Sequence, residues 1–267
     1  MKHPWTLALS VGPNAMNEAG MRRLAMAQIP ELELSSGKLA PFYEDLQYPV
    51  RAKEYSALAA SHGLAITSIH LPFGPFSQID PAAFSKETRA HVVQLQSELI
   101  RSAADAGIGI AVIHPSGEPY PESERAERLA CAVDTVAQLT RVATECGMTL
   151  ALENLPRTCL CRNSEEMQVF LTQIPELRVC FDTNHCLAED NVHFIRAVGD
   201  KIVTLHVSDY DRIDEKHWLP GEGVNDWSAI KAALEEVGYR GRFLYETGGL
   251  DGCERIRPNY ESLFGEQ

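Results

Sequence analysis

Histidines and carboxylates recur in this sequence at the ends of short apolar runs. His70 closes AITSIH, His114 closes IAVIH, Glu153 lies near the end of TLALEN, Asp182 closes RVCFD, His206 lies near the end of IVTLHV and Glu246 closes RFLYE. His185 follows Asp182 by three residues in DTNH. One such residue is more often a cap or a loop contact; six in consecutive segments describe a site if the segment ends share one face. Carboxylates gathered on one face repel one another, and ionised groups are seldom buried without a partner. A divalent cation is the natural counter-charge. Glu153, Asp182, His206 and Glu246 would offer it three carboxylates and one imidazole. That oxygen-rich set suits one Mn2+, Mg2+ or Co2+ better than a structural Zn2+, and open positions would remain for substrate oxygens.

The six residues meet only if the elements bring strand ends to one rim. Short β-rich runs at 6–10, 31–35, 65–70, 110–114, 149–154, 178–182, 202–207 and 242–246 alternate with helical patterns along the whole chain. Val92, Leu95, Leu99 and Ala103 recur at helical spacing, as do Leu129, Val133, Val136, Thr140 and Ala143. Gly63, Gly107 and Gly147 stand where helix C-caps are expected, and Asn163 with Glu166 reads as a capping box. Near-continuous apolar strands alternating with amphipathic helices imply a parallel sheet covered on its outer face. Eight units in 267 residues fit a closed (β/α)8 barrel better than an open doubly wound sheet, and no composition break divides residues 1–267 into two domains. In such a barrel the C-terminal strand ends form a single rim.

Composition excludes several function classes. The net charge of -13, with 24 Lys and Arg against 37 Asp and Glu, opposes a nonspecific hold on nucleic acid, which relies on cationic side chains. No run approaches the roughly 20 apolar residues needed to span a bilayer. Seven scattered Cys and an N-terminal MKHPWTLALS too short in apolar residues for a secretory signal point to a reduced, cytoplasmic protein. Assembly into a homo-oligomer, a dimer or tetramer, is the base expectation.

At the rim residues the chain resembles the xylose-isomerase-like barrel superfamily, which covers sugar isomerases, ketose 3-epimerases, inosose dehydratases and endonuclease IV. The resemblance runs over essentially the whole chain. It is carried by IHLPFG (69–74), VIHPSG (112–117), ALEN (151–154), FDTNH (181–185), LHVSDYDR (205–212), LPGEGVNDW (219–227) and YETGG (245–249). It implies that Glu153, Asp182, His206 and Glu246 bind one metal, that His185 binds substrate, and that Arg212 reaches a substrate oxygen. It also implies that His70 and His114 contact substrate. The implied chemistry on a small sugar is proton transfer through an enediolate, with Glu153 and Glu246 on opposite sides of the reacting carbon, one removing a proton and the other returning it. Return across the face is epimerisation, and return to the neighbouring carbon is aldose–ketose isomerisation; the sequence leaves both open. Inosose-type dehydration is a third reading.

The loop VSDYDRIDEKHWLPGEGVNDW after the seventh strand gathers six acidic residues, an arginine and a histidine into one connection. His217 reads as a substrate contact. In endonuclease IV the corresponding Asp-x-His pair binds additional zinc, so Glu215-Lys216-His217 keeps a zinc phosphodiesterase as the rival reading, against which stand the acidic charge and the absence of a basic stripe. The PGEG turn either bends the loop over the site or offers backbone amides to a phosphate, the first being favoured. Asp226 reads as a helix N-cap. Glu33 is expected to orient His70 or a water, Cys159 and Cys161 to be surface or loop thiols, and Trp5 and Phe73 either to wall the ligand or to fill the barrel mouth.

Overall fold

A computed structural model describes residues 5–35 and 50–265. Strand and helix alternate without exception among the described residues. The strands are β1 (Thr6–Val11), β2 (Glu31–Ser35), β3 (Ala65–His70), β4 (Ile110–Ile113), β5 (Thr149–Glu153), β6 (Arg178–Asp182), β7 (Ile202–His206) and β8 (Arg242–Tyr245). Each is followed by a helix: α1 (Glu18–Met26), α2 (Val50–Ser61), α3 (Lys86–Asp105), α4 (Arg125–Glu145), α5 (Ser164–Gln173), α6 (Asn191–Val198), α7 (Trp227–Glu236) and α8 (Ile256–Phe264).

All strand pairs are parallel, in the order β7-β6-β5-β4-β3-β2-β1-β8. Closure comes just past the end of β7, where Val207 N–H donates to Leu244 O at 2.7 Å and Glu246 N–H to Val207 O at 3.1 Å. The fold is therefore the single-domain (β/α)8 barrel expected from the pattern. The predicted strand ends hold to within a residue.

Period-two alternation decides which side chains see the barrel axis. Ile110, Val112, Ala151 and Cys180 pack together as a small cluster inside the barrel. Leu150, Leu152, Val179 and Phe181, their neighbours in sequence, belong to the larger core under the helices. Stepping two residues on from Ala151 and Cys180 reaches Glu153 and Asp182, so the apolar plug ends where the polar rim begins.

Local signals act as the sequence implies. Gly63, Gly107 and Gly147 take φ of +74°, +81° and +72° beyond α2, α3 and α4, a region that costs glycine little. Asn163 accepts from Glu166 N–H at 3.0 Å, and Asp226 accepts from Ala229 N–H at 3.0 Å. Glu166 does not close the capping box. Its carboxylate instead takes Arg125 Nη2 at 2.7 Å and Cys161 N–H at 2.8 Å, pinning the loop after β5 to α4.

Candidate metal and substrate site

Four strand ends converge on His206, which is fully buried. Its Nε2 lies 3.0 Å from Glu33 Oε1. Its Nδ1 lies 2.9 Å from Glu153 Oε1, 3.5 Å from Glu246 Oε2 and 3.9 Å from Asp182 Oδ2. Ligand atoms of Glu153, Asp182, His206 and Glu246 all fall within 4.8 Å of one another. Asp182 Oδ1 accepts from Asn184 N–H at 2.5 Å, whereas Asp182 Oδ2 is buried without a hydrogen-bond partner. An unpartnered carboxylate oxygen in a dry site is costly unless a cation completes it. The donor set thus fits a divalent ion of the oxygen-preferring kind.

The electrostatics lead the same way. Burial pushes the Asp182 carboxyl up to about 7, as desolvation disfavours the charged form. Burial also opposes ionisation of Glu153 and Glu246. The imidazoles, His206 foremost, outweigh it and hold both carboxyls below the usual range, Glu153 well below. Burial opposes a charge on His206 as well, but the surrounding acidic groups, Glu246, Glu153 and Glu33 among them, hold its pKa well above the usual value. In the absence of metal, protons on this ring carry the positive charge that the carboxylates need.

Glu33 answers a question the sequence left open. It grips His206 Nε2 rather than His70, and Ser68 Oγ donates to its other oxygen at 2.9 Å. This carboxylate–imidazole contact fixes the ring and turns Nδ1 toward the cluster, the arrangement that orients metal-binding histidines. Asn154, beside Glu153, serves a similar end: its Nδ2 donates to Asp182 O at 2.9 Å and its Oδ1 accepts Asp182 N–H at 2.7 Å. Neither partnership has a sequence signal, because each joins residues from different strands.

His70, His114, His185 and His217 line a cavity of about 150 Å3 above the cluster, shared with Glu153 and Glu246. His70 Nε2 and His114 Nε2 lie 3.0 and 3.1 Å from Glu153 Oε2. Burial lowers the His114 pKa. Phe73 stacks on His114 with centroids 4.2 Å apart and joins the cavity wall. Trp5 does not: its indole N–H donates to Tyr239 O at 3.0 Å and its ring stacks on Phe243, at the opposite end of the strands. His185 Nδ1 lies 2.9 Å from Asn154 O, and its Nε2 lies 3.1 Å from Glu215 Oε2. Burial opposes its charge, but Asp182 and Glu215 prevail and lift its pKa to about 10. His217 Nδ1 lies 3.0 Å from the Glu246 carbonyl, and the ring borders the cavity.

Arg212 departs from expectation. Its backbone takes φ +64° and its half-exposed guanidinium meets Asp190 at 3.0 Å, so it is absent from the cavity wall. The guanidinium that does line the cavity is Arg157, in the loop NLPRTCLC, where no sequence pattern marks it. Arg157 is held by Glu118, Asp214 and Glu215. Cys159 and Cys161 lie in the same loop but are buried rather than on the surface. The PGEG turn is folded onto the chain's own carboxylate: buried Asp209 accepts Gly221 N–H at 2.8 Å, Asn225 N–H at 3.1 Å and Trp227 Nε1–H at 2.9 Å.

A parallel eight-stranded barrel with its polar cluster on the C-terminal rim falls in the class of (β/α)8 proteins that work through their βα loops. More particularly, this chain belongs to the xylose isomerase-like TIM barrel family, whose profile matches residues 22–261. It is 26% identical over 238 residues to D-psicose 3-epimerase of Enterocloster bolteae, covering 84% of this chain and 75% of that protein. It is 28% identical over 224 residues to D-psicose 3-epimerase of Ruminiclostridium cellulolyticum, covering 80% and 72%. An uncharacterised protein of Methanocaldococcus jannaschii is 27% identical over 176 residues, a match spanning 62% of this chain and 60% of the relative's length. Among solved structures, a D-tagatose 3-epimerase-like protein superposes with a TM-score of 0.80 at 21% identity, over 96% of each chain.

Proposed function

We propose that the protein is a divalent-metal-dependent epimerase or isomerase of a small, unphosphorylated sugar, acting on the carbon beside a carbonyl. The observation that carries this reading is the convergence of Glu153, Asp182 and Glu246 oxygens on His206 Nδ1, with Asp182 Oδ2 left unpartnered. A bound divalent ion supplies Lewis acidity toward a carbonyl and its neighbouring hydroxyl. Glu153 and Glu246, which both border the cavity, take the proton from the reacting carbon and return it. Glu153 is fixed by His70, His114 and His206, whereas Glu246 keeps a side chain 23% exposed and has more freedom to move. His185, His70 and His114 wall the cavity around the substrate, and Phe73 covers the carbon skeleton. The relatives named as D-psicose 3-epimerases favour epimerisation over isomerisation.

An uncharged substrate follows from where anion-binding groups are spent. Within PGEG the Gly221 amide closes on Asp209 and the Glu222 amide on Leu219 O, and the one Arg among the cavity-lining residues is already held by three carboxylates. A phosphate would meet Glu118 and Glu215 instead of free donors. The rival phosphodiesterase reading has one observation in its favour: His185, Glu215 and His217 offer a second cluster of ligand atoms within 4.8 Å.

The deciding experiment is elemental mass spectrometry of the purified protein, followed by incubation with free ketoses in deuterated water. About one Mn, Mg or Co per chain and deuterium at the carbon next to the carbonyl are expected. Two or three Zn per chain with hydrolysis of a phosphodiester, and no exchange into any ketose, would overturn the proposal.

A further inference from the structure

Glu215 stands at a junction that the proposed reaction does not yet use. One oxygen, Oε2, lies 3.1 Å from His185 Nε2. The other accepts from Arg157 Nη2 at 3.1 Å. Arg157 in turn donates through Nη1 to Asp214 Oδ1 at 2.7 Å and through Nε to both oxygens of Glu118 at 3.1 Å. One guanidinium therefore ties together the loops that follow β4, β5 and β7, and a forked, planar donor set is suited to that task.

The segment carrying Glu215 is itself fixed. Asp211 Oδ1 accepts Ile213 N–H and Asp214 N–H at 2.8 and 3.0 Å, and Lys216 N–H donates to Asn184 Oδ1 at 3.0 Å. His185 is therefore oriented from both sides, with the Asn154 carbonyl 2.9 Å from Nδ1 and Glu215 on Nε2. The ring also lies 3.5 Å from Glu153 Oε1. Loss of Glu215 would leave a buried imidazole with one anchor and freedom to rotate beside a proposed acid–base group.

We propose that Glu215, clamped by Arg157, is a positioning residue that fixes the His185 imidazole against Glu153 and so holds the cavity wall against which substrate is seated. The proposal rests on the function proposed above for its kinetic consequence, but its structural core does not. A second metal ion on His185, Glu215 and His217 is the competing account of the same three side chains.

The test uses the metal-loaded protein and the variants Glu215→Gln and Arg157→Met, each checked for an unchanged circular dichroism spectrum. For the ketose that the wild type turns over, KM is expected to rise about tenfold with kcat within about threefold, since a misplaced binding group costs chiefly affinity. Metal per chain should be unchanged. The ring N–H resonances of His185, assigned by nitrogen-15 NMR against His185→Gln, should shift in both variants. Metal content that falls in Glu215→Gln would overturn the proposal in favour of a second metal site, and unchanged KM with unchanged His185 resonances would overturn it outright. Should the wild type turn over no ketose, the function reading fails on that result alone. The resonances and metal content then still decide the role of Glu215.

Discussion

His206 has a carboxylate against each ring nitrogen, Glu33 on Nε2 and Glu153 on Nδ1, an arrangement that without metal favours the doubly protonated ring. Protons and the proposed metal would therefore compete for this cluster. Asp182 gives the competition a pH window: burial raises its folded pKa from 3.8 to about 7. A carboxyl raised on folding contributes stability that is fully present below its unfolded value and is lost as pH rises through the folded one. A bound cation removes that loss. Added Mn2+ should thus raise Tm more at about pH 8 than at about pH 5.5, and equal shifts in a calorimeter would disconnect Asp182 from the metal. Glu246→Gln should lower kcat by about 10^3 with the fold retained, within the range expected for a general acid or base; full activity would remove it from that role. Arg212→Ala should change KM by less than about twofold, because its exposed pair with Asp190 contributes little. A large rise in KM would restore Arg212 to the substrate.

At the scale of elements, the connection between β7 and α7 owes its shape to Asp209. Its carboxylate accepts from the backbone of Tyr210, Gly221 and Asn225 and from the Trp227 indole, and it is wholly buried. Gly223 packs so close that an added Cβ would lie 2.3 Å from Tyr210 O and 2.4 Å from Asp209 Oδ1. Asp209→Ala would strand several buried donors at once, each worth about 1–3 kcal/mol when left unsatisfied. Urea denaturation should show a loss of at least about 3 kcal/mol, and a loss below about 1 kcal/mol would mean that water replaces the carboxylate. The same loop carries Glu215 and His217, so the anchor that stabilises the element also places cavity-lining side chains.

The whole molecule separates stability from chemistry by the two ends of the barrel. Trp5, Phe243, Tyr260 and Phe264 pack around the N-terminal strand ends, with Phe243 in contact with all three. The carboxylate–imidazole cluster occupies the opposite rim, with the plug of Ile110, Val112, Ala151 and Cys180 inside the barrel. Phe243→Ala should therefore cost about 3–5 kcal/mol in unfolding experiments while leaving metal content per chain as in the wild type. Loss of metal in a variant that is still folded would show that the two ends are coupled.

Much of this was legible in the sequence because it depends on periodicity. Alternating strand and helix patterns determined the barrel, and period two within a strand determined that Glu153 and Asp182 follow Ala151 and Cys180 onto the inner face. Since parallel strands in a closed barrel end on one rim, His70, His114, Glu153, Asp182, His206 and Glu246 had to be neighbours. Which nitrogen meets which oxygen was not legible. The pairing of Glu33 with His206 rather than His70, the bracing of Asp182 by Asn154, and the placement of Arg157 in the cavity in Arg212's stead all join segments remote in sequence. Loop backbone conformation aims those side chains, as the left-handed φ of +64° at Arg212 and +54° at Arg157 illustrates. Periodic patterns fix the faces of strands and helices; loops have no period, so only their tertiary contacts decide where they point.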